Sequence, residues 1–287
     1  MILLRAALAA VLLTLGACAA EPQAVRPALW EVTGSKGERG WLFGTIHALP
    51  DPVEWRSPAV DAALSGSDRL VLEIANSGDA AAIGKVFKAL AESPQMPPLL
   101  ERVPAAKRKS IAAAFYEQGL DVDDFDRTET WAVALTLSRT ANRKAQGSFG
   151  MEQELARAAR GKIVVPLTNA EAQLRQFDSL PDSEQVDLLA AVVEETRATA
   201  GAERLARAWA TGDLTALEAE TGAGLLADPE LREVLMLAPN RDWAGKVEAL
   251  LVSGRRPLVA VGAAHMVGPQ GLPALLSTQG FTVRRLQ

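Results

Sequence analysis

The sequence predicts an α/β fold, with α+β the alternative: a mixed central sheet built from the N- and C-terminal parts and a large helical insertion between them. Three observations predict it. Short apolar runs of strand length stand near both ends, at residues 29–33, 40–46, 257–262 and 281–286. The stretch between about residues 80 and 254 is helical in pattern for most of its length. A strand near each end also closes on the same arrangement, Gly-x-x-His followed by a proline-containing loop.

Each element follows from local residue choice. Met1 to Arg5 is a short, positively charged start, and Ala6 to Leu15 is apolar except for Thr14. That run is short for a membrane span and suits the apolar part of an export signal, so residues 1–17 read as a signal peptide. It ends in Leu15-Gly16-Ala17-Cys18, which resembles the bacterial lipobox. Cys18 is the sole cysteine; an internal disulfide is therefore excluded, and lipidation accounts for it. Ala19, in place of Asp, favours outer-membrane sorting, facing the periplasm or the surface; a soluble periplasmic or secreted protein is the alternative. Residues 18–27, with Pro22 and Pro27, read as a tether.

Residues 28–287 read as one domain. Leu29–Thr33 and Gly40–Ile46 form a hairpin around the Gly34–Gly37 turn. A short helix covers residues 57–65, and residues 69–74 make a buried-type strand. Helices follow to about residue 145, broken early by Pro94, Pro97, Pro98 and Pro104. Another helix opens at Gly150 and ends at Gly161, residues 162–167 are strand-like, and residues 171–254 are again helical. The strand 257–262, a helix over 272–279 and the strand 281–286 close the chain. The 48% hydrophobic and 23% charged residues are enough for a sizeable core. A net charge of −5, without basic runs, argues against a nucleic-acid partner.

Candidate chemistry starts with the two histidines of the chain, which share one setting: Gly44-Thr45-Ile46-His47 and Gly262-Ala263-Ala264-His265, each after an apolar strand. A single histidine is most simply a hydrogen-bonded structural residue; two in matching contexts point to one site. Two imidazoles with a carboxylate make an open metal site that leaves room for water. Glu73, in an otherwise apolar strand, is the nearest carboxylate, since burying one there is costly unless it is paired or binds a cation. The plain alternative for Glu73 is an edge strand facing water. Glu152 and Glu154 open a helix, where their ordinary role is to complement its dipole. Arg241 is a candidate for holding a carboxylate or oxyanion; the plain alternative is an N-cap at Asn240 with a solvated Arg241.

Trp41 to His47 resembles the opening motif of the TraB/GumN family, and Val261 to Gly268 its closing motif. Leu70 to Glu73, Gly150 to Glu152, Gln173 to Pro181 and Trp243 fall between them in the family's order, so the resemblance covers essentially residues 29–286. The family is related to the Tiki proteins, regarded as metal-dependent proteases, and to pheromone-shutdown proteins, and is similar in fold to erythromycin esterase and ChaN proteins. The resemblance implies a two-His, one-Glu centre carried here by His47, His265 and Glu73, with Glu152 able to shuttle a proton. It implies a divalent metal (zinc, manganese, cobalt or iron) and a peptide or small ester-like substrate, with the membrane reached through lipidated Cys18. Some relatives of the esterase type use histidine as a general base without metal. The alternative is a non-catalytic metal-, haem- or peptide-binding lipoprotein of the same fold. Two departures bear on substrate handling and on activity itself: Leu167-Thr168-Asn169 where members commonly show Leu-Glu-Thr, and Ala238-Pro239-Asn240 where members often show Glu-Arg-Asn.

Overall fold

The structure is a computed structural model in which residues 23–46, 49, 52–74, 80–145 and 150–287 are described. The signal segment, Cys18 and His47 lie outside the described residues. The strands are β1 (Gln23–Ala24), β2 (Leu29–Thr33), β3 (Arg39–Thr45), β4 (Val53–Glu54), β5 (Arg69–Ile74), β6 (Ile163–Thr168), β7 (Pro257–Gly262) and β8 (Thr282–Arg285).

Six of them form one mixed sheet in the order β6-β5-β7-β3-β2-β8. The first four are parallel to their neighbours, while β2 is antiparallel to both β3 and β8. The two chain ends therefore do meet in one sheet, joined by β5 and β6 from the interior of the sequence. Every residue of β7 is buried, as a strand covered on both faces must be. Its alternate residues divide between the faces. Leu258 and Ala260 pack with Trp41, Phe43, Leu70 and Leu72. Val259 and Val261 pack with Leu42 and Val71. Helices Pro58–Gly66, Met151–Ala158 and Thr199–Thr211 bring Val60, Leu155 and Trp209 to the first face. Helices Ala238–Val252 and Leu272–Thr278 bring Val247 and Leu276 to the second.

The helical insertion has its own core, where helices Ala105–Gln118, Thr130–Ala145 and Asp182–Arg197 bury Phe115, Trp131, Leu188 and Leu189. Buried polar groups are matched, as a low-dielectric interior requires. Gln185 Oε1 accepts from the Trp131 backbone N–H at 3.0 Å, and its Nε2 donates to Leu180 O at 3.1 Å. The Trp131 indole N–H donates to Asp178 at 3.2 Å, and Phe177 stacks on that indole. The Arg102 guanidinium gathers the carbonyls of Pro97, Phe125, Asp126 and Thr128, which ties the segment before helix Ala105–Gln118 to the start of the next helix.

One short pairing escapes a pattern-based reading. Within the expected tether, β1 pairs in parallel with β4. Val25 is buried in the main core, and the Arg26 backbone N–H donates to Ala210 O at 2.7 Å.

On the outer half of the sheet, Glu31 of β2 lies between Arg39 of β3 at 2.6 Å and Arg284 of β8 at 2.6 Å. The hydrogen bond from Arg284, followed by that from Arg39, holds its carboxyl below the ordinary value of 4.5. A depressed carboxyl stabilises the fold above its unfolded-state pKa, and that stabilisation disappears as pH falls through the folded-state value. Both arginines are more than half exposed, so screening limits the contribution. Glu31→Gln is therefore expected to cost about 1 kcal/mol at pH 7 and to flatten the loss of stability on acidification below about pH 4.5. Urea unfolding at pH 7 and pH 3 checks this; an unchanged acid limb would count against it.

Candidate active site

The parallel strands β3, β5, β6 and β7 end at one edge of the sheet, where open α/β sheets place their ligands. β3 and β7 are neighbours, with Gly44 opposite Val261 and Thr45 opposite Gly262. The strand ends that open the two Gly-x-x-His segments thus lie side by side. Gly44 suits that point, because a Cβ there would come within 3.3 Å of the Ala263 side chain, a tight approach. Its carbonyl accepts the buried Trp209 indole N–H at 2.9 Å, which fastens helix Thr199–Thr211 over the first segment. His47 lies outside the described residues.

His265 sits on the short 3-10 turn Ala263–Met266 that continues β7. Its Nδ1 is 2.6 Å from Asn240 Oδ1. Asn240 is buried, and its Nδ2 donates to Gln270 O at 2.8 Å, so Oδ1 is the end offered to the histidine. In the neutral ring the proton then resides on Nδ1 and the lone pair on Nε2. Trp243, one turn after Asn240, lies against the imidazole with ring centroids 4.6 Å apart. Asn240 and Trp243 share one face of helix Ala238–Val252, so a single helix both orients the imidazole and covers one side of it.

Glu73 lies near the end of β5, an internal strand between β6 and β7, and not on a sheet edge. Its Oε1 accepts the Gly262 N–H at 2.7 Å and stands 3.9 Å from His265 Nε2. That separation is too long for a hydrogen bond. A lone pair facing a carboxylate is unfavourable unless a cation or a proton lies between them. An imidazole nitrogen with a carboxylate oxygen is also the donor set that zinc, manganese, cobalt and iron accept, with the other ring nitrogen hydrogen-bonded. The described residues therefore fit a divalent metal, as well as a protonated imidazole.

Glu152 is brought to the same edge: its Oε1 accepts the Thr45 hydroxyl at 2.7 Å, and the Met151 N–H donates to Ile46 O at 3.3 Å. Glu154 instead pairs with Arg157. Arg241 is not brought to this group; its guanidinium is exposed and pairs with Glu233. Asn240 is no N-cap either. One π-helical turn, Glu233–Leu237, carries the helix from Pro229–Arg232 into Ala238–Val252 without a break, and Asn240 lies inside the latter. A second carboxylate group, Glu184, Asp187 and Asp228, has spacing that could hold a metal ion. Its members already have local roles, since Asp187 pairs with Lys107 at 3.0 Å and Asp228 caps the helix Pro229–Arg232. Burial, with Asp228 and Glu230 nearby, raises the Glu184 pKa.

His265, Thr45 and Ile46 open onto a cavity of about 460 Å³ whose walls include Phe177, Trp209 and Met236. This is the size and the mostly apolar character of a small-ligand site.

A family model for the TraB/PrgY/gumN family matches residues 28–285, from before β2 to the last residue of β8. The chain belongs to the TraB/PrgY/gumN family. It is 25% identical over 252 residues to the uncharacterized protein YbaP of Shigella flexneri, covering 86% of this chain and 90% of that protein. It is 26% identical over 241 residues to the uncharacterized protein YbaP of Escherichia coli (strain K12), covering 82% and 86%. No solved structure matches the chain.

Both departures from the TraB/GumN motifs have a local structural role. Asn169 caps helix Ala170–Asp178 by accepting from the Ala172 N–H at 2.8 Å. Pro239 directly follows the π-helical turn Glu233–Leu237, where the backbone hydrogen bonds are already shifted from the α pattern, and its ring nitrogen has no N–H to donate. The residues that sequence reasoning missed are Asn240, as the partner of His265, and Thr45, as the partner of Glu152. The one signal available was the i, i+3 spacing of Asn240 and Trp243. Asn240→Leu is expected to release the tautomer lock, moving His265 from the Nδ1–H form toward a mixture. ¹⁵N NMR of the imidazoles reads this directly, because the chain has two histidines and a His47→Ala variant assigns them. An unaltered His265 spectrum would show that Asn240 does not set the tautomer.

Proposed function

We propose that this protein is a metal-dependent hydrolase of the bacterial cell envelope, cleaving peptide or small ester-like bonds, with His47, His265 and Glu73 as the metal-holding set. The observation that carries the reading is His265, whose Nδ1 is fixed by Asn240 while its Nε2 stands 3.9 Å from Glu73 at the mouth of an apolar cavity. A bound divalent metal would supply Lewis acidity toward a carbonyl oxygen and make water nucleophilic near neutral pH.

The chain's own groups divide the remaining work. Asn240 keeps the His265 lone pair on Nε2. The Gly262 N–H fixes the Glu73 carboxylate, so little reorganisation is needed when it takes up its role. Glu152, oriented by Thr45, is the carboxylate suited to move a proton between attacking water and leaving group. The cavity walls bind the apolar part of the substrate and exclude water. Because Arg241 is turned away toward Glu233, no oxyanion role is assigned to it.

Location is part of the same reading. Among the described residues no helix is long and apolar enough to cross a membrane. We place the protein in the outer membrane through a lipid on Cys18, after removal of residues 1–17. One observation favours the alternative of a metal-, haem- or peptide-binding lipoprotein without turnover: among the described residues, no arginine or lysine lines the cavity beside His265.

Metal analysis of the full-length protein in detergent, re-titrated with zinc, manganese and iron, tests the centre. The expected result is about one equivalent in the wild type and its loss in the His47→Ala, His265→Ala variant. No metal in either protein would overturn metal dependence and leave His265 as a general base. Glu152→Gln is expected to lower kcat by about 10²- to 10⁴-fold while metal content stays unchanged. A kcat within a few-fold of wild type would remove Glu152 from the mechanism.

A further inference from the structure

The cavity beside His265 does not end at its apolar walls. A second cavity of about 320 Å³ adjoins it, and the two share Glu195, Leu205, Glu220 and Ala223. The shared neck is charged. Glu220 pairs with Arg204 at 2.5 Å, which holds the Glu220 carboxyl below its ordinary value and leaves that pair neutral. Glu195 is different. Among the described residues it enters no salt bridge and accepts one hydrogen bond, from the Leu225 N–H at 3.2 Å.

Its carboxylate packs closely against the neighbouring turn. The turn Gly224–Ala227 passes so close that a Cβ on Gly224 would stand 2.7 Å from Glu195 Oε1, and Gly224 takes the left-handed φ of +59° that suits glycine. Sequence far from the strand edge therefore places one excess negative charge at the neck. On the side nearer His265, Leu217, Leu226, Leu235 and Met236 supply apolar surface, while the amide side chains of Gln173 and Gln176 also line the cavity. Hydrogen-bonding groups interspersed along an apolar wall suit a peptide backbone with apolar side chains better than a continuous alkyl chain.

We infer that the two joined cavities select a peptide carrying bulky apolar residues beside the reacting bond and a cationic residue beyond them, with Glu195 as the residue that determines the charge preference. This rests on the hydrolase reading for the position of the reacting bond, but not for binding. The apolar residues occupy the larger cavity next to His265. The lysine or arginine passes the neck and meets Glu195, whose charge has no cationic partner among the described residues. The complementarity is electrostatic and partly exposed, so it weakens as salt rises.

The test uses heptapeptides with Phe-Leu at the centre and Lys, Gln or Glu placed two or three residues away on either side. Their affinity for the full-length protein in detergent is measured by calorimetry at low and high salt, and turnover is followed separately. The Lys peptide with the matching spacing is expected to bind about tenfold tighter than its Glu counterpart, a ratio of the size that a charged hydrogen bond provides. That ratio should fall toward one in Glu195→Gln and at high salt, and replacing Phe-Leu by Ser-Ser should weaken binding at least as much. Equal affinity for the Lys and Glu peptides, or an equal loss for all three in Glu195→Gln, overturns the inference. So does failure of every peptide to bind. Turnover without charge preference overturns this inference and leaves the hydrolase reading intact. Charge-selective binding without turnover of any peptide supports the inference and counts against hydrolysis.

Discussion

The pairing of β3 with β7 is the constraint on which the rest of the site depends. Paired residues of these strands are 217 positions apart in the chain, and their register sets Thr45 beside Gly262. The absence of a side chain at Gly44 lets the turn after β7 close against it. The consequences run outward from that contact. Gly262 presents its N–H to Glu73, Thr45 presents its hydroxyl to Glu152, and the Gly44 carbonyl receives Trp209. A one-residue slip of this pair would turn each alternate side chain to the opposite face and separate both carboxylates from their donors at once. The buried residues of β7 on both faces make such a slip costly, so packing of the sheet core and placement of the polar groups are one problem with one solution.

Around that edge the polar groups are arranged in series. Gln270 orients Asn240, Asn240 orients His265, and His265 faces Glu73, which is itself oriented by Gly262. The first two links fix the donor and acceptor roles of Asn240 and of the neutral His265 ring, so the position of the ring proton is decided by a backbone carbonyl two groups away. Burial sharpens this, because an imidazole or amide in the wrong orientation would leave an unpaired polar group in a low dielectric. Trp243 adds a close wall on the ring without competing for its nitrogens.

Much of this was legible in the sequence, and the legible parts have a common physical cause. The six strands of the main sheet are apolar or alternating runs long enough for period and composition to identify them, as in Pro257–Gly262 and Arg69–Ile74. The shared Gly-x-x-His segments could be seen because each stands at the end of such a run. The short strands β1 and β4 could not, because a two-residue pairing is a matter of backbone hydrogen bonds and leaves no side-chain period. Asn240 was misread for a related reason. Asn before Arg241 and Asp242 looks like the start of a helix, whereas the π-helical turn before it makes the helix continuous from Pro229. Its actual partner is 25 residues further on, a tertiary contact to which local propensity is blind. Arg241, one residue away on the same helix, points elsewhere, which shows how little sequence adjacency says about direction on a helix.

The helical insertion and the sheet divide the labour in a way that explains why the site is built from both. The strand edge fixes a few polar atoms rigidly, since each is bonded to backbone or to a buried partner. The insertion supplies the cavity walls, and its hold on the site is through packed aromatic rings. Phe177 stacks on the fully buried Trp131 and also lines the cavity, so the wall is an extension of the insertion's own core. Asp178 and Gln185 bind the two polar atoms of Trp131 that packing alone would leave unmatched. Changes within that core therefore reach the cavity by moving Phe177, without touching Glu73 or His265. By contrast, the π-helical turn Glu233–Leu237 places Leu235 and Met236 in the cavity wall and leads directly into the helix that holds Asn240. It couples the shape of the wall to the orientation of the imidazole, and a π-turn is a segment whose hydrogen bonds are already shifted from the α pattern.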